Sequence, residues 1–307
     1  MRRALRGLLL TGCLLMPAAV FGQGAAPADA PPPRATPRGP HAVTVESYPT
    51  LATHTAYHPM NLDAFGPSKL LPIVSWGNGA CVRNGSAFAE FLTQIASHGY
   101  LAIAIGAKNP PPGTGAPLPP TEARPIDDHM LLDAVDWAAK QNADRSSPFY
   151  RKSDVSKVAV MGQSCGGLQA LAVSPDPRVT TSVIMNSGVL PATGPVRGAT
   201  LSNATKDTLT QLHAPIAYVI GGPTDIAYPN AEDDFARITG VPVFKANLNV
   251  GHGGTYRQPG GGWFGEVAVR WLDWQLKGNA DASRWFVGGD CRLCTEPVWS
   301  VQKKGMK

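Results

Sequence analysis

Short apolar runs alternate along most of this chain with stretches whose apolar residues recur every third or fourth position. Residues 43–45 and 53–57 read as early strands, and 71–75 as a buried strand running into a Gly-rich loop at 76–85. Ser86 is placed to cap a helix in which Phe88, Phe91, Leu92 and Ile95 fall at i, i+3, i+4 and i+7. Gly99 ends that helix, and 100–105 is a strand again. A Pro-rich loop at 107–125 precedes a helix near 126–141 with Met130, Ala134 and Trp137 on one side. Strands follow from 158, at 181–185, at 215–220 and near 241–246, with a short excursion at 188–213. A Trp-rich amphipathic helix near 263–276 comes last.

Strands alternating with helices predict an α/β fold, a mostly parallel sheet with helices on both faces. Because parallel crossovers are right-handed, the strands form one doubly wound sheet. The excursion, about 25 residues, has room for a loop or one helix but not for a lid domain. The expected lid is therefore minimal.

Composition adds a compartment. Arg2, Arg3 and Arg6 precede an apolar run from Gly7 to Met16, and small residues at Val20–Gly22 suit cleavage before Gln23. Residues 1–22 thus read as a signal peptide; the run is too short for a stable membrane span. Cys13, in Leu10-Thr11-Gly12-Cys13, offers a lipid anchor as an alternative, and Arg2-Arg3 a twin-arginine route. Residues 23–40, with prolines at 27, 31, 32, 33, 37 and 40, read as a disordered or polyproline-like spacer. Residues 41–307 form a single domain with a cysteine-containing C-terminal tail. Of the formal charge of +5, three units lie in the signal segment, leaving too little to argue for nucleic acid. The expected destination is the periplasm or the medium, the expected state a monomer.

Without Cys13, four cysteines remain: Cys81, Cys165, Cys291 and Cys294. An exported protein favours two disulfides, and three connectivities are open. Cys291 and Cys294 have redox-motif or half-zinc spacing, but no second pair complements them, so a local disulfide is expected. His54 and His58 lack a third ligand, and no metal site is expected.

The chemistry centres on Gly162-Gln163-Ser164-Cys165-Gly166, between an apolar strand and a helix-prone segment. A serine held on so tight a turn projects from the end of a strand, with glycines leaving room at its flanks. Its hydroxyl needs a base. Only His213 and His252 follow it, and His252 lies on a Gly-rich loop after the last parallel strand, where an imidazole can reach the serine. Asp225, in a turn after the 215–220 strand, is placed to orient that imidazole; Asp233 and Asp234 read as a solvated helix face. One oxyanion donor is the backbone N–H of Cys165, and the other that of Cys81 or Ala80 in the loop after 71–75.

Together the elbow, the loop ending at Cys81, Asp225-Ile226-Ala227 and Gly251-His252-Gly253 resemble the α/β-hydrolase superfamily, and within it the bacterial cutinase, polyester-hydrolase and chlorophyllase-like branch, over residues 45–276. The resemblance implies a lidless carboxylic-ester hydrolase with nucleophile Ser164, acid Asp225, base His252, oxyanion donors at Cys81 and Cys165, and no cofactor. Its substrate would be a small-molecule or polymer ester. Gln163 and Cys165 differ from the aromatic or His and the Met that polyester hydrolases favour beside the serine, which bears on the substrate and not on the chemistry. In such a fold the loops of Cys81 and Cys165 approach, so a disulfide could join them; otherwise Cys165 is a small packed thiol. Trp76, Tyr256 and Trp263 are candidates for a substrate pocket. The competing classes are a noncatalytic binding protein on the same fold, which predicts a broken triad, and an amidase or peptidase using the same triad.

Overall fold

The computed structural model describes residues 27–109, 127–191 and 202–306. The expected signal peptide with Cys13, most of the Pro-rich loop and part of the excursion lie outside these residues.

Nine strands make one sheet: β1 (Val43–Glu46), β2 (His54–Pro59), β3 (Leu71–Gly77), β4 (Leu101–Ile105), β5 (Ser153–Gln163), β6 (Val179–Met185), β7 (Ile216–Ile220), β8 (Val243–Leu248) and β9 (Trp299–Lys304). They lie in the order β1-β2-β4-β3-β5-β6-β7-β8-β9. The block from β4 through β8 is parallel, and β1, β2 and β9 are antiparallel additions at the edges. The architecture is the expected α/β one, with helices on both faces. Period-2 alternation sorts the strand residues between them. Ala159 and Met161 of β5 face one layer with α1 (Ala89–Ser97) and α5 (Gly262–Lys277). Val158 and Val160 face the other, against α2 (Met130–Ala143), α3 (Cys165–Val173) and α4 (Tyr228–Arg237). Central strands buried on both sides carry nearly unbroken apolar sequence, which is why they were readable.

The differences from expectation lie at boundaries and ends. α1 begins three residues after Ser86, which instead closes the preceding turn by accepting from Ala89 N–H at 3.2 Å. The segment before the domain has no regular structure from residue 27 to 40, yet it is not a free spacer. Thr36 is buried, donates to the Gly262 carbonyl at 2.7 Å and takes its own N–H bond to Pro259 O. Arg34 pairs with Glu266 at 2.6 Å over the Trp263 ring, and Asp29 accepts from Asn249 at 2.8 Å. The C-terminal tail is likewise part of the domain: after α6 (Ala280–Ser283) and α7 (Arg292–Thr295), β9 pairs antiparallel with β8 along Val243–Leu248. Its short Trp-Ser-Val-Gln alternation ends in Lys303 and Lys304, whose ammonium groups donate to the Gly288 carbonyl and to the Phe235, Ala236 and Ile238 carbonyls.

Candidate active site

Ser164 sits between β5 and α3 with φ 54° and ψ −116°, a strained conformation for a residue with a side chain. Two close approaches require the flanking glycines. A Cβ on Gly162 would lie 2.2 Å from the Gly166 carbonyl, and one on Gly166 would lie 2.0 Å from that of Gly77 in β3. The turn is pinned by Ser164 N–H to Met185 O at 3.0 Å and by the Ser187 hydroxyl to Ser164 O at 2.7 Å. The serine hydroxyl therefore stands at the C-terminal end of β5, where the loops after β3, β6, β7 and β8 converge.

His252, on the loop after β8, places Nε2 3.0 Å from Ser164 Oγ, and its Nδ1 lies 2.6 Å from Asp225 Oδ1. Asp225, on the turn after β7, is 1% exposed and accepts three further bonds, from Asn186 Nδ2 at 2.7 Å and from the Gly221 and Ala227 N–H groups at 2.9 Å each. Burial by itself works against the charged carboxylate. The His252 bond, the Ala227 N–H, the imidazole charge and the Gly221 N–H together outweigh it and hold the pKa below the ordinary 3.8. Ser164, His252 and Asp225, from three separate loops, thus form one hydrogen-bonded chain. His213 lies at the surface beside the Asp176 carbonyl, at 3.0 Å. His54 bonds Met130 O, and His58 the Tyr48 hydroxyl.

Two residues beyond the expected set support this chain. Asn186, fully buried at the end of β6 with φ 44°, donates to Asp225 and, at 3.3 Å, to Gly251 O, and accepts from the Tyr256 hydroxyl at 2.5 Å. It ties the turn of Asp225 to the loop of His252. Gln163 donates from Nε2 to His252 O at 3.1 Å, with its Oε1 against Gly79 of the β3 loop. A polar residue at or just past the end of a strand marks such positions weakly in sequence. Only the fold identifies the partners.

The cysteines pair as Cys81–Cys165 and Cys291–Cys294, with Cα separations of 5.4 and 4.9 Å. The first bridge joins the β3 loop to the first residue of α3, beside Ser164. Ala80 and Cys81 both have φ 51°, giving that loop a tight turn. Gly79, Ala80 and Cys165 line the cleft over Ser164, and Cys81 is bridged to Cys165. Asn78 shapes the loop from beneath, donating to the Val82, Asn84 and Ile105 carbonyls and accepting from Trp76 Nε1 at 3.1 Å.

The cleft has a volume of about 370 Å³. Its lining is mainly apolar and includes Val82, Ala87, Phe88, Leu168, Leu190 and Ile226. Trp76, Tyr256 and Trp263, the sequence candidates for substrate contact, do not line it. Trp76 and Tyr256 are buried in an aromatic cluster with Phe88 and Phe91, and Trp263 packs between Arg34 and Trp299. Their large apolar area is worth more in the core than at a wetted surface. Asp234 also departs from expectation. It is fully buried, accepting from Val189 N–H at 2.7 Å, from Tyr218 and from Lys206, so it anchors the start of the excursion. A scan against protein-family models matched none, and a search of curated proteins returned no relative.

Proposed function

We propose that this protein is an exported serine hydrolase of α/β-hydrolase type that cleaves carboxylic esters. The observation that carries the reading is the continuous chain from Ser164 Oγ through His252 to buried Asp225 at the edge of an apolar cleft. Strand order and the site's position at the C-terminal ends of the parallel strands support it. So do two disulfides, which suit an oxidising compartment.

In this reading Ser164 Oγ attacks the ester carbonyl carbon while its proton passes to His252 Nε2. Asp225 holds the imidazole through Nδ1 and stabilises the imidazolium. The oxyanion is met by the Cys165 N–H at the N-terminal end of α3 and by an N–H of the Gly79–Cys81 turn. Each such donor contributes about 3 kcal/mol to the transition state. The carbonyl reforms, the C–O bond to the alcohol breaks, and His252 returns its proton to the departing alkoxide. Water then repeats the cycle on the acyl-serine and frees the acid.

The test is turnover of p-nitrophenyl acetate by Ser164→Ala. Loss of essentially all activity with an unchanged circular dichroism spectrum is expected. A variant keeping more than a few per cent of wild-type activity would remove Ser164 from the role.

A further inference from the structure

We propose that the ester this cleft takes carries a second, ionised carboxylate, and that Arg257 binds it. The proposal rests on the ester-hydrolase reading of Ser164.

Arg257 lines the same cleft as Ser164 and His252, and among the described lining residues it alone bears a permanent charge. Among the described residues no aspartate or glutamate lines the cleft. Asp225 lies behind His252, buried and engaged. Other arginines of the chain are committed to carboxylates: Arg34 to Glu266, Arg38 to Glu90, Arg178 to Asp136 and Asp176, Arg237 to Asp233. Arg257 is exposed, and among the described residues no carboxylate pairs with it. A guanidinium presents paired N–H donors in one plane, a geometry matched to a carboxylate.

The backbone that carries Arg257 is fixed, while among the described residues its head group has no carboxylate partner. On one side the buried Tyr256 donates to Asn186 at 2.5 Å. Thr255 donates to Gly261 O at 2.7 Å and accepts from Phe264 N–H at 3.0 Å, and Gln258 N–H closes on Thr255 O at 2.9 Å. Five residues upstream the same loop carries His252. Arg257 is therefore held in constant relation to the base, and the apolar lining of Val82, Phe88 and Leu168 can take a methylene chain or a ring. The substrate that fits has an apolar body, an ester at Ser164 and a carboxylate at one end. Hydrolysis adds water across the ester, giving acid and alcohol, and leaves the second carboxylate unchanged.

Two isosteric pairs test this and separate a carboxylate on the acyl side from one on the alcohol side: monoethyl adipate against ethyl adipamate, and 3-acetoxybenzoate against 3-acetoxybenzamide. For wild type, kcat/KM of the carboxylate member exceeds that of its amide by about tenfold in at least one pair, as a charged hydrogen bond of ordinary strength would give. Arg257→Gln brings that ratio close to one, Arg257→Lys keeps part of it, and added salt shrinks it in wild type. Equal turnover of both members by wild type, or a ratio that survives Arg257→Gln, overturns the proposal and leaves the hydrolase standing. So does turnover of p-nitrophenyl acetate with none of the four esters cleaved. Inactivity toward all five removes the hydrolase reading and this proposal with it.

Discussion

Asp225 accepts four hydrogen bonds in a nearly waterless position, so Asp225→Asn would turn two N–H donors of its amide toward groups that are themselves donors. We expect kcat to fall about 10⁴-fold, from the wrong imidazole tautomer. Stability should drop by about 1–3 kcal/mol, from unsatisfied buried polar groups. His252→Ala should cost comparable activity with a smaller change in Tm, since its ring is a fifth exposed. The pH dependence follows from the lowered pKa of Asp225. The stability it contributes is fully present above the ordinary 3.8 and is lost as pH falls through its lower folded value. The Tm gap between wild type and Asp225→Asn should therefore narrow from about pH 6 to about pH 3, as thermal melts across that range would record. Asn186→Leu should reduce kcat more than it raises KM, because Asn186 holds Asp225 and Gly251 and does not carry the reaction. A purely structural role would lower Tm and leave kcat of the folded fraction unchanged. Ser164, Asp225 and His252 were legible because each occupies a short turn with diagnostic neighbours. Trp76, Tyr256 and Trp263 were misread because an aromatic near a site motif looks the same whether it faces the cleft or the core.

At the scale of elements, one covalent staple and one noncovalent strap hold the site's loops, and a second staple closes a turn in the C-terminal tail. The Cys81–Cys165 bridge spans 84 residues, and its loop entropy amounts to about 4–5 kcal/mol. Cys291–Cys294 spans 3 residues, for about 2 kcal/mol. Cys81→Ala/Cys165→Ala should lower Tm and kcat together, because the bridge ties the β3 loop to α3 on either side of Ser164. Cys291→Ala/Cys294→Ala should cost less stability and leave kcat near wild type. Equal kcat in both variants would detach the first bridge from the chemistry. The strap is the 27–40 segment, whose Asp29, Arg34 and Thr36 grip the 249–262 loop that carries His252. A chain beginning at residue 41 should lose several degrees of Tm and a larger share of kcat than of KM affinity. Central strands and the helices α1, α2 and α5 were legible from periodicity, and α3 from its place after the tight serine turn. β9 and the strap were not, because their places depend on partners distant in sequence: β8 for the one, the α5 entrance for the other.

Over the whole molecule, one sheet sorts its residues so that buried alternation fills the core on both faces and leaves the loops at one edge to carry Ser164, His252 and Asp225. That division made the fold class readable from apolar spacing alone. The shape of the cleft was not readable, since its lining is assembled from five loops. Among the described residues no helix is long and apolar enough to cross a membrane. The central claim is that Ser164 is a nucleophile activated by His252, and its most direct test is covalent capture. Wild type, Ser164→Ala and His252→Ala would be treated with a fluorophosphonate and the adduct located by peptide mass mapping. The account predicts a single adduct on Ser164 in wild type, none in Ser164→Ala, and labelling slowed by orders of magnitude in His252→Ala. An adduct on another residue, or wild-type labelling rates in His252→Ala, would contradict it.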